Sequence, residues 1–182
     1  CLVDVSKKSV QMVSFYWREK QLLIPVYPCL KLAMQKFTEV NHVINFSSFR
    51  SAYHTTKECI SYNNINLVTV IAEGMPERQS RLLKLEAGNL GKIIIGPSTV
   101  GMIKPGIVRI GNTCGNLDNI IDSRLYKSGS VAFVTRSGGL LNEMCRIISK
   151  HCDGIYEGIS IGGDKYPCSN FIDHVIRFEN NE

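Results

Sequence analysis

Short runs of aliphatic and β-branched residues alternate with stretches of helical periodicity along most of this chain. Residues 22–27 read as a strand, which Pro25 makes an edge strand or the end of one. Residues 29–37 carry Leu30, Met34 and Phe37 at helical spacing. Residues 42–46 read as a strand and 50–62 as a helix. The run 67–72 is the most continuous apolar, β-branched stretch, suited to a strand covered on both faces. Residues 76–89 form a helical pattern, with Pro76 tolerated in its first turn and Gly91 just beyond its end. Residues 92–95 make another strand. The alternation predicts an α/β fold, a doubly wound parallel sheet flanked by helices.

The next segment differs. Gly96, Gly101, Gly106, Gly111 and Gly115, with Pro97 and Pro105, make 96–115 dense in turns, with one short strand at 107–110. A short helix is expected over 118–126 and a hinge at 127–129. A second α/β unit follows: strand 130–135, helix 137–151 with Leu140, Leu141, Met144, Ile147 and Ile148 on one face, strand 155–161, and a last helix from about Asn170. The expected domains are therefore 1–125 and 126–182, divided near 123–129. So few strands do not complete an α/β sheet, so the second unit reads as truncated.

At 182 residues and 44% hydrophobic, the chain is long and apolar enough to bury a core. Its net charge of +5 suits anionic ligands without requiring them. No run approaches the ~18 residues of a membrane span, and the first residues do not form a signal peptide. With no initiating Met, the expectation is a piece of a longer polypeptide. The seven Cys are odd in number and lack a Cys-x-x-Cys pair. They read as reduced, buried or half-buried thiols in the cytoplasm. His42, His54, His151 and His174 lack metal-ligand clustering, and no metal site is expected. Residues 106–113 miss the P-loop pattern, because Asn112 stands where Lys is required.

Three segments are candidates for chemistry. Arg136-Ser137-Gly138-Gly139 lies between a strand and a helix, where bare amides favour an anion, or where Ser137 is a plain cap and the glycines pack. Glu73 follows the strand 67–72, at the edge where open α/β sheets bind ligands, or is a solvated loop acid. Phe46-Ser47-Ser48-Phe49-Arg50 ends the preceding strand at the same edge. It can hold a nucleotide or phosphate, or simply start a helix.

Taken in order, these and further segments carry a resemblance. They are Phe15-Tyr16-Trp17, Leu23-Ile24-Pro25-Val26, Ile44-Asn45-Phe46 and Arg50-Ser51-Ala52-Tyr53. Then come Ile71-Ala72-Glu73-Gly74-Met75-Pro76-Glu77, Ile95-Gly96-Pro97-Ser98-Thr99-Val100-Gly101, Ile103-Lys104-Pro105-Gly106 and Ile110-Gly111-Asn112-Thr113. The series ends with Arg136-Ser137-Gly138-Gly139, Asn142-Glu143 and Ile161-Gly162-Gly163-Asp164-Lys165-Tyr166-Pro167. The series resembles the succinyl-CoA synthetase superfamily, and within it the ATP-citrate lyase family.

The resemblance implies a Rossmann-like CoA-binding domain followed by the start of a flavodoxin-like ligase domain. It implies an enzyme that uses ATP, Mg, citrate and CoA to make acetyl-CoA and oxaloacetate through a phosphohistidine and citryl-CoA. On it, Phe46, Ser48, Arg50 and Ile71 bind CoA, and Glu73 orients the phosphohistidine. Ser137, Gly138, Gly139 and Asn142 hold the phosphate or acyl group. The first strand and the Gly turn of the family are missing or altered; Ser6, Lys7, Lys8 and Ser9 stand where that turn would lie. The phosphohistidine, ATP-grasp and citryl-CoA lyase parts, with the ATP and Mg sites, fall outside this chain, so the chain alone is expected to be inactive. A homo-oligomer without nucleic-acid or membrane partners is implied. The alternatives are a succinyl-CoA ligase α-like piece and a non-catalytic CoA-binding or assembly module.

Overall fold

The computed structural model describes residues 1–180 and divides into two compact units, Cys1–Asn41 and a second that begins at His42. The first unit holds β1 (Leu2–Val3), β2 (Gln11–Trp17), β3 (Lys20–Tyr27) and α1 (Leu30–Lys36). β2 and β3 form an antiparallel hairpin closed at Arg18, whose φ is +56°. β1 adds in parallel, so β3 is the middle strand and not an edge. Pro25 is tolerated because β1 begins its register at Val26, leaving Pro25 opposite Met12 alone. The strand β2 gave no sequence signal, because both its faces are exposed and its apolar residues do not alternate.

The second unit opens with β4 (His42–Asn45), α2 (Phe49–Ser61), β5 (Leu67–Val70), α3 (Glu77–Asn89) and β6 (Ile93–Ile95). The three strands pair in parallel in the order β4-β5-β6. Val68 and Val70 of β5 are fully buried, as the mostly apolar, β-branched run predicts. α2 turns Ala52, Thr56, Cys59 and Ile60 inward, and α3 turns Leu83 and Ala87 inward. These are the i, i+4, i+7, i+8 positions of one helix face.

The turn-dense segment holds two strands and not one: β7 (Gly101–Lys104) and β8 (Val108–Gly111) form an antiparallel hairpin. After α4 (Leu117–Asp122) come β9 (Val131–Thr135), α5 (Gly138–His151), β10 (Ile155–Ser160) and α6 (Phe171–Glu179). β9 and β10 are parallel, and β7 runs antiparallel to β10, giving the order β8-β7-β10-β9. This four-stranded sheet joins residues from both sides of 123–129, and the compact units divide between Asn41 and His42. Ile103, Leu125, Leu141, Ile148 and Ile155 form its core with α5. The whole is an α/β fold with parallel strands flanked by helices.

One ion pair is set into this core. Glu157 on β10 is 1% exposed and accepts from both terminal nitrogens of Arg177 on α6. A paired buried carboxylate is tolerated; an unpaired one is costly. Arg177→Ala is expected to destabilise the protein by about 3 kcal/mol, the low end for a broken buried pair, because the Arg177 side chain is 42% exposed. A lowered urea midpoint with unchanged slope checks this.

Two imidazoles are also enclosed. His42 Nε2 meets Thr69 Oγ1 at 3.0 Å across β4 and β5, and His174 Nε2 meets Ser169 Oγ at 3.1 Å. Burial holds both below the ordinary histidine value of 6.5, with Arg177 adding to the effect at His174. Below that value the unfolded chain takes up protons that the folded chain refuses, so stability rises with pH there. Stability should be full above about pH 6.5 and fall as the pH drops below it. Urea midpoints across this range check the sign, and His42→Gln should flatten the fall.

Candidate functional site

The site is built from the C-terminal ends of parallel strands. At the end of β4 the buried Asn45 serves four partners. Its Oδ1 accepts from Ser47 N and Ser47 Oγ at 2.9 and 2.5 Å, and its Nδ2 donates to Ala52 O and Thr56 Oγ1 at 3.2 and 3.0 Å. One amide side chain therefore fixes both the loop 46–48 and the first turns of α2. That frees the neighbouring side chains. Phe46 is 63% exposed, and Ser48, at the N-cap of α2, makes no side-chain cap bond. Arg50 is exposed, with its guanidinium carbon 5.5 Å from the Phe49 ring centre.

The next strand end is tied to this one. Ile71 N donates to Asn45 O at 3.1 Å, and the Ile71 side chain lies against Gly111 at the end of β8. Glu73 follows in an exposed loop. That loop is held by Asp164, whose carboxylate accepts from Gly74 N and Met75 N, each at 3.2 Å. The Asp164 carbonyl, with those of Gly162 and Gly163, accepts from Arg136. Asp164 thus couples the Glu73 loop to the Arg136-Ser137 loop.

At the third strand end Ser137 Oγ accepts from Leu140 N at 3.4 Å, so Ser137 caps α5. A Cβ on Gly138 would fall 2.4 Å from Val100 Cγ1, which makes Gly138 a packing glycine. Gly139 is exposed, and a Cβ there would meet only Ser137 Oγ, at 3.7 Å. Asn142 is half-buried, and its Oδ1 holds Cys114 N at 2.8 Å.

The strand ends thus form two linked groups: Phe46, Ser48, Arg50 and Ile71 around Asn45, and Glu73 with Ser137–Gly139 around Asp164. Asn142 sits one turn deeper on α5, bonded to the loop after β8. The sequence reading missed the organisers. Asn45, Arg136 and Asp164 stood inside quoted motifs, but their work is to bond backbone groups distant in sequence, which spacing does not reveal. A separate cavity of about 300 Å³ among α3, β6 and α6, lined by Lys84, Lys92, His174 and Arg177, contains none of the candidate residues. Asp164→Ala should speed hydrogen exchange at Gly74 and Met75 at least tenfold while moving the global urea midpoint little, because the bonds lost are local and near the surface. Amide exchange read by mass spectrometry or NMR checks both halves.

No family model matches the chain. It is 54% identical over 165 residues to the ATP-citrate synthase of Bos taurus, 91% of this chain and 15% of that protein. It is 50% identical over 171 residues to a probable ATP-citrate synthase subunit 1 of Schizosaccharomyces pombe, 94% of this chain and 28% of that protein. The chain therefore spans well under a third of these relatives. Among solved structures it superposes on ATP citrate lyase from Methanothrix soehngenii, solved in complex with citrate and coenzyme A. The TM-score is 0.95 at 47% identity, over 98% of this chain and 29% of that one. A Pyrococcus horikoshii protein, at 20% identity and a TM-score of 0.67 over 99% of this chain and 37% of that one, shares the fold alone. Over more than nine-tenths of its length, this chain is homologous to one region of the ATP-citrate synthases.

Proposed function

We propose that this chain is the part of an ATP-citrate lyase that binds CoA and positions the group transferred to it. The reaction is the formation of acetyl-CoA and oxaloacetate from citrate, CoA and ATP, through a phosphohistidine and citryl-CoA. The observation that carries the reading is the near-complete superposition on the Methanothrix enzyme, solved with citrate and coenzyme A. The physical chemistry agrees with it. Phe46, Ser48 and Arg50 are exposed together at a strand end, where an aromatic face, a hydroxyl and a guanidinium suit an adenine nucleotide with phosphates. Ile71 supplies an apolar wall beside them.

Glu73 stands at the neighbouring strand end, where its carboxylate orients a histidine brought from elsewhere and stabilises that histidine's charged form. Gly139, in the open first turn of α5, offers its backbone to a phosphoryl or acyl oxygen. Ser137 and Gly138 shape that turn, and Asn142 holds the loop behind it. The phosphohistidine, the ATP-grasp part with ATP and Mg, and the citryl-CoA lyase part belong on this reading to the rest of a larger, oligomeric enzyme working in the cytoplasm. The Rossmann-like and flavodoxin-like assignments, with their division near 123–129, belong to the same reading.

The test uses the protein at its native length. Arg50→Ala and Phe46→Ala should each weaken CoA binding about tenfold by calorimetry, the loss of one charge-assisted or stacking contact. Glu73→Gln should leave CoA affinity intact and lower citrate-dependent acetyl-CoA formation about a hundredfold. Unchanged CoA affinity in both Arg50→Ala and Phe46→Ala would falsify the assignment of this edge to CoA. Undiminished turnover in Glu73→Gln would remove Glu73 from the reaction.

A further inference from the structure

The cysteines of this chain do not behave alike. Cys1 and Cys152 are exposed, Cys29 is half-buried, and Cys59, Cys114, Cys145 and Cys168 are buried. Burial pushes the Cys59 and Cys168 thiols up to about 12, the condition of an inert core thiol. Cys114 and Cys145 face each other, their sulfurs 3.4 Å apart. Cys114 belongs to the loop after β8 and Cys145 to the middle of α5.

Three features of the surroundings set this pair apart. First, the backbone joint between loop and helix already exists, because Cys114 N donates to Asn142 Oδ1 at 2.8 Å. The Thr113 hydroxyl fixes the loop from its other side, donating to Val100 O and Ile110 O at 2.9 and 3.0 Å. A bond between the sulfurs needs each to move only roughly 0.7 Å, by side-chain rotation. Second, the loop is thin. Asn112, Gly115 and Asn116 are exposed, so Cys114 lies one residue from solvent. Third, the two sulfurs are electronically unlike. The hydrogen bond between the two sulfurs, with Arg109 nearby, draws Cys114 below its ordinary value, while the same bond and burial drive Cys145 up. Arg109 is fixed there by its bond to Gly115 O at 2.7 Å. An attacking sulfur beside a retained thiol proton is the arrangement that thiol oxidation uses.

We propose that Cys114 and Cys145 form a modification site, a dithiol that hydrogen peroxide converts to a disulfide. The Cys114 sulfur attacks one peroxide oxygen, the O–O bond breaks, and a sulfenic acid forms as the first water leaves with the Cys114 proton. The Cys145 sulfur then attacks the Cys114 sulfur, the S–O bond breaks, and the hydroxyl departs with the Cys145 proton as a second water. Two thiols are oxidised by two electrons and one peroxide is reduced to two waters. The product ties the loop after β8 to α5 one turn beyond Asn142. No third His, Cys, Asp or Glu joins the pair among the described residues, which favours this chemistry over metal binding.

The test again uses native-length protein. Accessible thiols are first blocked with N-ethylmaleimide under native conditions. Hydrogen peroxide is added and quenched, and the protein is denatured, alkylated with iodoacetamide and digested with trypsin without reductant. Cleavage after Arg109, Arg124, Arg136 and Arg146 puts Cys114 and Cys145 on separate peptides, each with a single cysteine. The expected result is a linked peptide, 110–124 joined to 137–146, that dithiothreitol resolves and that Cys145→Ser lacks. In Cys145→Ser, Cys114 should be trapped by dimedone as the unresolved sulfenic acid. Recovery of both wild-type peptides singly alkylated after peroxide would overturn the proposal. So would oxidation confined to other cysteines, or dimedone capture at Cys145 and not at Cys114.

Discussion

Between the loop after β6 and the loop after β10 the two backbones touch, with no side chain between them. Gly96 N donates to Ile161 O at 3.0 Å, Cys168 N to Gly96 O at 2.8 Å, and Gly163 N to Ser98 O at 2.9 Å. A Cβ at Gly162 would lie 2.1 Å from Pro97 O, and one at Gly96 would lie 2.4 Å from Val70 O. Both residues have φ beyond +100°, a conformation that L side chains rarely adopt. This contact joins the ends of two separate sheets, and Asp164 hangs from it. From Asp164 the Glu73 loop and the Arg136-Ser137 loop both take their positions. The exposed residues at the strand ends are therefore placed by bonds to loop backbone and by glycines, not by their own packing.

A second constraint is the accounting of buried polar groups. Where chains end strands and start helices, amides and carbonyls lose their ladder partners and must find others. Asn45 meets that need at one corner and Asn142 at another, and each does so by bonding backbone or hydroxyl groups across loops. The same logic holds Glu157 in the core with Arg177. Such side chains contribute little net stability while satisfied, but their removal strands several partners at once. The site's rigidity rests on them.

These two constraints mark what the sequence could and could not reveal. Strands β4 to β6 and helices α2, α3 and α5 were legible because their burial follows the residue pattern closely; Val68, Val70 and Leu83 are the apolar positions one would choose. The hairpin β7–β8 was half hidden. Its residues read as turns because Gly101 and Gly111 are forced by close approach to Ile110 O and Val100 O, while the strand character lies in the pairing. β2 was hidden because neither of its faces is buried. The partners in the first unit also could not show that Pro25 sits mid-sheet. At the site, exposed candidates such as Phe46, Arg50 and Glu73 were found from their position at strand ends. Asp164 and Arg136 entered only as letters in motifs, because their partners are 89 and 26 residues away.

The glycines after Ser137 separate two reasons for the same residue. Helix starts with adjacent glycines invite the reading that each opens an amide to a ligand. Here Gly138 is required whether or not a ligand ever binds, because Val100 occupies the space of its side chain. Gly139 is under no such demand; around it the structure leaves room for a side chain, and the turn is exposed. Packing accounts for the first glycine and not for the second. Ser137 is accounted for as well, since its hydroxyl already caps the helix at Leu140. Of the four positions grouped as one phosphate or acyl site, the fold itself explains Ser137, Gly138 and Asn142. Gly139 alone is left without a packing reason, since its surroundings leave room for a side chain.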